Sequence, residues 1–327
     1  SAHARTVAAR FGTEHTELYT SPAKVFADLD VALASYDQPS IDGLNSYFIS
    51  QAVRHSGIKV AMSGLGGDEL FAGYSTFRRA SLLDRQLYRA LAKAASPVLT
   101  RYSPGTMRAD KLAAVLASGG SRLQTYSVFR QVMLSDRRAE LMQAAQDDEP
   151  PLPAPIVKEL TAAIAPLDSP NAYSLLELSL YLANMLLRDT DQMSMAHSLE
   201  VRVPILDHRL METVARVPGS MKLAGLHRAS KKRLLIDALP VALPREVFDR
   251  KKMGFVFPWE LWLRHELREL ISCVLNDWEA MEAAGLARQP VQNLWYRYQR
   301  YQPGIRYTDI LSLVHLLTWV RANKVSL

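Results

Sequence analysis

The sequence predicts an α/β fold in which a truncated parallel sheet is followed by a large, mostly α-helical part. A short apolar run, residues 58–62, leads directly into a glycine-rich turn, and segments with helical spacing lie before and after it. Strands separated by helices of this length are typical of a parallel sheet. From about residue 78 onward nearly every segment has helical spacing. We therefore divide the chain into a partial α/β part, residues 1–77, and a mainly helical part, residues 78–327.

The first elements of the chain are short. An opening helix is predicted to end at Gly12, and the alternation of residues 14–19 predicts a short strand. Ser21 followed by Pro22 is typical of a helix N-cap with proline in the first turn. Two successive helices are predicted from apolar side chains at four-residue spacing: Val25, Leu29 and Leu33 in the first, and Leu44, Phe48 and Ala52 in the second.

The remaining boundaries follow from similar signals. The apolar run of residues 58–62 predicts a strand, and a helix is expected to begin near Asp68 after the glycine turn. Ser169 followed by Pro170 predicts the start of another helix. Further helices are expected to start near two more positions: Ser230 and Pro258.

The composition is that of an ordinary globular protein. The chain has 327 residues, of which 48% are hydrophobic and 22% charged, enough to form a full core. Most of the net charge of +6 is scattered, and the compact cationic segments are residues 227–233 and 250–252. The chain lacks the basic and aromatic interleaving of single-strand binders, so we expect no nucleic-acid partner. No apolar run approaches the roughly 20 residues of a membrane span, and we expect no membrane partner. The single cysteine, Cys273, fits a reducing compartment, so a cytoplasmic location is expected.

The first segment with functional chemistry is residues 63–74, Ser-Gly-Leu-Gly-Gly-Asp-Glu-Leu-Phe-Ala-Gly-Tyr. Closely spaced glycines let the backbone approach a ligand, and free N–H groups at the start of the next helix favour an anion. Asp68 and Glu69 then provide carboxylates for a divalent metal carried by a phosphate. A structural interpretation stands beside this one, in which the acidic residues complement the helix dipole of a strand-to-helix turn.

The second segment, residues 191–208, alternates carboxylates with one arginine. Asp191, Glu200 and Arg202 suit the orientation of a small zwitterionic substrate, because arginine offers a planar fork to a carboxylate. The structural alternative is an ion pair between Glu200 and Arg202, with Asp207 capping the helix that follows.

The third segment, residues 250–255, reads Arg-Lys-Lys-Met-Gly-Phe. Two lysines beside a glycine in a loop suit a polyphosphate, because they neutralise the charge that develops on a leaving pyrophosphate. An isolated basic run of this kind is otherwise a solvated surface.

In this order the three segments resemble the synthetase domain of glutamine-hydrolysing asparagine synthetases. The glycine turn with Asp-Glu-Leu-Phe-x-Gly-Tyr, the stretch from Met-Ser-Met-Ala-His-Ser to Asp-His-Arg-Leu, and the Arg-Lys-Lys-Met-Gly-Phe run all match. Residues 37–45 also look like the branch of the family found among bacterial surface-polysaccharide genes. The resemblance implies a Rossmann-like core of the adenine-nucleotide α-hydrolase type, with residues 1–77 forming part of the nucleotide-binding region.

The resemblance also implies a two-step reaction. ATP adenylates the side-chain carboxylate of aspartate and releases pyrophosphate, and ammonia then displaces AMP to leave an amide. Asp68 would hold Mg²⁺ on the pyrophosphate, and Lys252 would neutralise that leaving group. The residues that would contact ATP are Ser63, Gly64 and Gly66. The residues that would shape the substrate pocket are Asp191, Glu200 and Arg202.

Two departures from the family pattern bear on the acceptor. Leu65 lies where family members that make asparagine often have an acidic residue that assists the attacking amine, and Gln192 replaces a common arginine. Leucine provides no such assistance, so another small carboxylate is an alternative acceptor, as in a ligase similar to β-lactam synthetase. A non-catalytic binding or scaffold protein is the alternative from a different class.

Two further parts of the family pattern would precede residue 1. They are a glutaminase domain with a terminal cysteine nucleophile and a Ser-Gly-Gly-x-Asp-Ser pyrophosphate loop. We expect the complete polypeptide to take ammonia from glutamine, and the chain alone to be inactive and to bind ATP weakly. The sheet edge beside residues 58–62 is expected to be bare or covered by a second copy in a homodimer.

Overall fold

The computed structural model describes residues 2–84, 107–117, 121–142, 152–223, 232–239, 241, 243–248 and 256–325. In these ranges the protein has a mostly helical α/β fold with a small parallel sheet. The predicted Lys252 and the rest of residues 249–255 lie outside the described residues, as does Ser230. The division of the chain at residue 77 stays a prediction.

The first 84 residues form helices around one strand. These elements are α1 (Ala2–Phe11), α2 (Pro22–Ala34), α3 (Gly43–His55), β1 (Val60–Met62), α4 (Gly67–Leu70) and α5 (Ser75–Leu83). The predicted signals are confirmed here. Gly12, with φ +65°, follows α1, and the hydroxyl of Ser21 accepts a hydrogen bond from the backbone N–H of Lys24 at 3.3 Å, capping α2.

The middle of the chain is helical apart from a second strand. Its elements are α6 (Met107–Ala117), α7 (Arg122–Arg130), α8 (Ser135–Leu141), α9 (Ala154–Ile164), α10 (Ser169–Leu176), a π-helical segment (Glu177–Leu187), α11 (Arg188–Met195), β2 (Glu200–Arg202), a short 3-10 turn (Pro204–Leu206), α12 (His208–Ala215) and α13 (Gly219–Lys222). As predicted, a helix starts at Ser169, with Asp168 accepting a hydrogen bond from the backbone N–H of Asn171 at 2.9 Å.

The named elements of the described carboxy-terminal part are all helices. They are α14 (Arg233–Asp237), α15 (Arg245–Phe248), α16 (Trp259–Trp262), α17 (Arg268–Val274), α18 (Trp278–Ala283), α19 (Arg288–Gln299) and α20 (Tyr307–Asn323). Pro258 precedes α16, as predicted. No helix in the described ranges is both long enough and apolar enough to span a membrane.

The sheet pairs two strands that are 140 residues apart along the chain. β1 and β2 run parallel, with Val60 opposite Glu200 and Met62 opposite Arg202. The apolar side chains at 58, 60 and 62 are exposed, by 82% in the case of Met62, as expected for a sheet edge that no described residue covers.

The predicted strand at residues 14–19 is wrong, because residues 13–21 form neither helix nor strand. A strand needs a neighbour to pair with, and the two described strands pair with each other. The polar side chains of the segment bond locally instead: Glu17 accepts hydrogen bonds from Arg5 at 2.7 Å and from the Tyr19 hydroxyl at 2.6 Å.

Two apolar cores hold the helices on either side of the site. The larger core packs α2, α3 and the carboxy-terminal helices together and includes Phe48, Met193 and Trp262. The second core joins α5, α7, α9 and α10 around Phe77 and Leu176. The π-helical segment and α11 lie between the two cores, which places their polar side chains next to the glycine turn.

Candidate functional site

The glycine turn begins where β1 ends. The backbone N–H of Ser63 continues the parallel ladder and donates to the carbonyl oxygen of Arg202 at 2.8 Å. The Ser63 hydroxyl then accepts the backbone N–H of Leu65 at 3.3 Å, which tightens the turn. Ligands of open α/β sheets bind at the carboxyl ends of strands. The predicted location of the turn, at the carboxyl end of a parallel strand, is thus confirmed.

The two predicted glycines of the turn have different constraints. Gly66 has φ +83°, and a side chain there would collide with Leu206. Gly64 has an ordinary φ, and a Cβ atom added to it would meet nothing within 4 Å. Gly66 is therefore required by the fold, whereas the backbone at Gly64 faces open space. An exposed peptide of this kind allows close approach of a ligand.

Asp68 lies in the first turn of α4, and its side chain is mostly shielded, with 20% exposed. Its backbone carbonyl oxygen accepts the N–H of Gly73 at 2.7 Å. A Cβ atom at Gly73 would overlap the Asp68 carboxylate and lie 2.9 Å from its Cα atom. Glycine at position 73 thus allows the segment to fold back over Asp68. The close packing of Gly73 against Asp68 fixes the position of this carboxylate.

A lysine that the sequence interpretation did not assign lies at Asp68. The Nζ atom of Lys232 is 3.3 Å from Oδ1 of Asp68, and a third of the lysine side chain is exposed. Lys232 immediately precedes α14 and has φ +60°, so its backbone is held in the left-handed region. The available signal was the compact cationic segment of residues 227–233, which no motif explained.

Glu69, the second carboxylate of the motif, is not placed to share a metal ion with Asp68. It is 2% exposed and accepts the hydroxyl proton of Tyr74 at 2.5 Å, while its backbone carbonyl accepts the hydroxyl of Ser174 at 2.7 Å. Among the described residues no three His, Cys, Asp or Glu side chains converge on a metal position. One carboxylate at Asp68 fits Mg²⁺, which is commonly held by one or two carboxylates together with substrate phosphates.

The predicted substrate residues are spread along α11 and β2. Glu200 and Arg202 form an ion pair at 2.7 Å in which both side chains are more than half exposed. Asp191 is exposed on α11. Asp207 caps α12 by accepting the backbone N–H of Arg209 at 2.9 Å, as the structural alternative expects. A role for the first three residues in substrate binding stays a prediction.

A polar cluster that sequence reasoning missed lies behind the turn, centred on Arg130 at the end of α7. Arg130 bonds Glu177 through two nitrogens, with Nε to Oε1 at 3.1 Å and Nη2 to Oε2 at 2.5 Å. The guanidinium carbon lies 3.6 Å from the ring centre of Tyr181 and 4.8 Å from that of Tyr74. Because Tyr74 also bonds Glu69, the cluster is continuous with the glycine turn.

Burial controls the protonation of this cluster. It raises the pKa of the Glu177 carboxyl, an effect that the Arg130 charge opposes. Burial also raises the pKa of the Tyr74, Tyr126 and Tyr181 hydroxyls, and the nearby carboxylates add to the effect. These tyrosines are therefore neutral hydrogen-bonding groups at physiological pH. Isolated aromatic and charged residues on separate helices gave no sequence signal for this arrangement.

Comparison with known proteins gives a family match over nearly the whole chain. The model of the family described as asparagine synthase matches residues 1–321. Asparagine synthetase [glutamine-hydrolyzing] 1 of Bacillus subtilis is 26% identical over 281 residues, covering 84% of this chain and 43% of the relative.

Two further relatives match similar shares of this chain. A putative asparagine synthetase [glutamine-hydrolyzing] of Mycobacterium bovis is 29% identical, over 77% of this chain and 38% of the relative. The Penicillium rubens protein named amidase chyE is 28% identical, over 75% of this chain and 40% of the relative. The chain thus spans less than half the length of these curated relatives.

Proposed function

Because the chain belongs to the asparagine synthase family, we propose that it is the synthetase region of a ligase that amidates a carboxylate at the expense of ATP. The carboxylate attacks the α-phosphorus of ATP, forming an acyl-adenylate and releasing pyrophosphate. Ammonia then attacks the acyl carbon, and AMP leaves. Ammonia would come from glutamine through a glutaminase domain in the complete polypeptide.

The observation that carries this proposal is the arrangement of the turn. Ser63 and Gly64 lie at the carboxyl end of β1, and Asp68 and Lys232 lie together just beyond it. Exposed backbone N–H groups and a lysine attract phosphate oxygens, whereas Asp68 would hold Mg²⁺. When bound, the Mg²⁺ ion would neutralise charge on the phosphates. A turn that served only to reverse the chain would not need a lysine placed against its carboxylate.

Within this proposal the turn residues have separate roles. Ser63, Gly64 and Gly66 would position the nucleotide, with Gly66 shaping the turn. Lys232 would neutralise the pyrophosphate as it leaves, together with Lys252. Lysine suits this role because its ammonium is a compact point charge on a flexible stem.

Aspartate is the first acceptor that we propose, with asparagine as its product. Leu65 favours a second candidate, because it is a half-buried hydrocarbon side chain inside the turn. With leucine at position 65, the site would lack the acidic side chain that assists the attacking amine in family members that make asparagine. The second candidate is thus a related ligase that amidates another small carboxylate, by the same adenylation chemistry.

The test uses the complete polypeptide with ATP, Mg²⁺ and a panel of small carboxylic acids. We expect exchange of labelled pyrophosphate into ATP that depends on one of the acids, and AMP with pyrophosphate as the products once ammonia is added. Products of ADP and inorganic phosphate would contradict the proposal, because the attack would then be on the γ-phosphorus. Amide analysis of the product identifies the acceptor.

A further inference from the structure

Asp68 is carried by α4 (Gly67–Leu70), a helix of a single turn. At its start the N–H of Leu70 donates to the carbonyl oxygen of Gly66 at 2.8 Å. Helices this short are not stable by themselves in water, because few backbone hydrogen bonds offset the cost of ordering the turn. The direction of the Asp68 side chain therefore depends on contacts that hold α4 from other parts of the chain.

Glu69 is the residue through which α4 is held. It is 2% exposed, whereas 20% of the neighbouring Asp68 side chain is exposed, because successive residues of a helix turn to different sides. The Glu69 carboxylate accepts the hydroxyl proton of Tyr74 at 2.5 Å, and its backbone carbonyl accepts that of Ser174 at 2.7 Å. One residue next to Asp68 is thus anchored through both its side chain and its backbone.

The first anchor, Tyr74, is held in place by its ring. The ring lies 6.4 Å from that of the buried Phe77, within 10° of parallel, and the guanidinium carbon of Arg130 lies 4.8 Å from its centre. Burial and the Glu69 carboxylate raise the pKa of the Tyr74 hydroxyl, so it keeps its proton at physiological pH. Tyr74 is therefore a rigid donor to Glu69.

The second anchor, Ser174, comes from a different helix. It is buried in α10, which packs against α5. The last carbonyls of a helix have no partner within it, and the Ser174 hydroxyl supplies one to the carbonyl of Glu69. The adjacent carbonyl, that of Asp68, accepts the N–H of Gly73 at 2.7 Å. The short helix is thus held at its end by donors from two parts of the chain.

We propose that Tyr74 and Ser174 are positioning residues for Asp68, which act through Glu69 and direct the Asp68 carboxylate toward the metal that accompanies the phosphates. Mg²⁺ demands near-ideal octahedral geometry, so a small change in the direction of a carboxylate ligand weakens its binding. This inference rests on the proposed function, in which Asp68 holds Mg²⁺. It assigns a role to Ser174, which lies outside the three sequence motifs.

The test measures binding rather than turnover. The complete polypeptide is titrated by calorimetry with ATP, once with Mg²⁺ and once with EDTA, and no acceptor is present. The variants are Tyr74→Phe, which keeps the ring and removes only the hydroxyl, and Ser174→Ala. Each is also made together with Asp68→Asn, because a residue that acts through Asp68 should have no effect once that carboxylate is gone. Thermal melting checks the fold.

The matched controls are Tyr126→Phe and Ser127→Ala, both on α7. The Tyr126 hydroxyl donates to the buried Glu177 carboxylate at 3.4 Å, and the Ser127 hydroxyl donates to the backbone carbonyl of Leu123 at 3.0 Å. Each control therefore removes one hydroxyl from the same kind of acceptor, but the acceptor is not part of α4. Both controls should bind Mg-ATP and metal-free ATP like the parent.

We expect Tyr74→Phe and Ser174→Ala each to weaken Mg-ATP binding about threefold to tenfold, the size of one lost hydrogen bond, with metal-free ATP binding unchanged. In the Asp68→Asn background neither should weaken Mg-ATP binding further. Equal weakening of both forms of ATP, or the same loss without the Asp68 carboxylate, overturns the inference while the proposed function stands. Unchanged Mg-ATP affinity in variants that melt like the parent does the same. Absence of ATP binding by the parent overturns the proposed function, and the inference with it.

Discussion

Lys232 Nζ lies 3.3 Å from Asp68 Oδ1, at the point where the glycine turn becomes a helix. The two residues are 164 positions apart in sequence, and the lysine is held by a backbone with φ +60°. The pair is partly shielded from solvent, with 33% of the lysine side chain and 20% of the aspartate side chain exposed. In the proposed reaction the pair forms two parts of a polyphosphate site, in which the carboxylate would attract a metal and the lysine would attract phosphate oxygens.

The first prediction concerns this pair. In the complete polypeptide, Asp68→Asn and Lys232→Met should each lower the rate of pyrophosphate exchange by about a hundredfold to a thousandfold. The first removes the carboxylate proposed to hold Mg²⁺, and the second removes a positive charge from the developing pyrophosphate. Thermal melting of each variant checks that the fold is retained. Exchange of labelled pyrophosphate into ATP measures the rate.

The matched control is Lys24→Met. Lys24 forms a partly exposed ion pair with Asp28 on α2 at 3.4 Å. Lys24→Met therefore also breaks a single lysine–carboxylate pair, but away from the site. Its exchange rate should equal that of the parent. If Lys232→Met behaved like Lys24→Met, Lys232 would have no role at the pyrophosphate.

The second prediction separates the two glycines of the turn. Gly66→Ala should lower the free energy of unfolding by about 2 to 4 kcal/mol, because alanine is strained at φ +83° and its methyl group would collide with Leu206. Gly64→Ala should leave the free energy of unfolding unchanged, since its Cβ atom meets nothing within 4 Å. Urea unfolding of both variants is the measurement.

In the complete polypeptide, Gly64→Ala should nevertheless raise the KM for ATP, because a methyl group would stand where a nucleotide approaches the backbone. An unchanged KM in this variant would indicate that the peptide at Gly64 does not contact the nucleotide. A stable Gly66→Ala protein would show that the turn tolerates rearrangement around Leu206.

The third prediction concerns the buried pair of Arg130 and Glu177. Glu177→Leu should lower the free energy of unfolding by about 2 to 4 kcal/mol, because it leaves a guanidinium without its carboxylate. The double variant with Arg130→Met should be more stable than the Glu177→Leu single variant, since neither charge then remains. Urea unfolding of the two single variants and the double variant completes the cycle. A double variant less stable than both singles would show that the pair does not act as a unit.

The sequence predicted the parts of the fold whose signals are local. Ser21, Gly12 and the apolar run of residues 58–62 each determine their structure through neighbours in the chain. The structure confirms the start of α2 and the end of α1, and within the apolar run it places the strand at Val60–Met62. The strand expected at residues 14–19 failed because a strand depends on a partner elsewhere in the chain. Alternation alone does not show whether such a partner is present.

The site divides in the same way. The turn from Ser63 to Asp68 was evident, because glycine spacing and an acidic helix start are local features. Lys232 and Arg130 were missed because tertiary packing brings them to the site from distant parts of the chain. Neither the cationic segment around Lys232 nor the single Arg130 has a pattern that specifies this contact. Glu69 was expected to face a metal, but its side chain pairs with Tyr74, since a helix start turns successive residues to different sides.

The last prediction concerns acid stability and rests on His315. This side chain lies in α20, 3% exposed, and its Nδ1 donates to the backbone carbonyl of Ser40. A carbonyl only accepts, so the neutral ring keeps its proton on Nδ1, and Nε2 has no partner among the described residues. Protonation of Nε2 would place an unpaired charge in the core.

Burial accordingly lowers the pKa of His315 to about 3 from the ordinary value near 6.5. The unfolded chain binds a proton here below about pH 6.5, whereas the folded protein does not bind it until about pH 3. The free energy of unfolding is therefore highest above pH 6.5 and falls as the pH decreases from 6.5 towards 3. Between pH 7 and 5 this one residue should remove about 2 kcal/mol of stability. Urea unfolding of the parent and of His315→Gln at both pH values isolates the effect. The variant should be less stable at pH 7 but lose about 2 kcal/mol less than the parent on going to pH 5. Equal losses in the two proteins would show that His315 accepts its proton in the folded state.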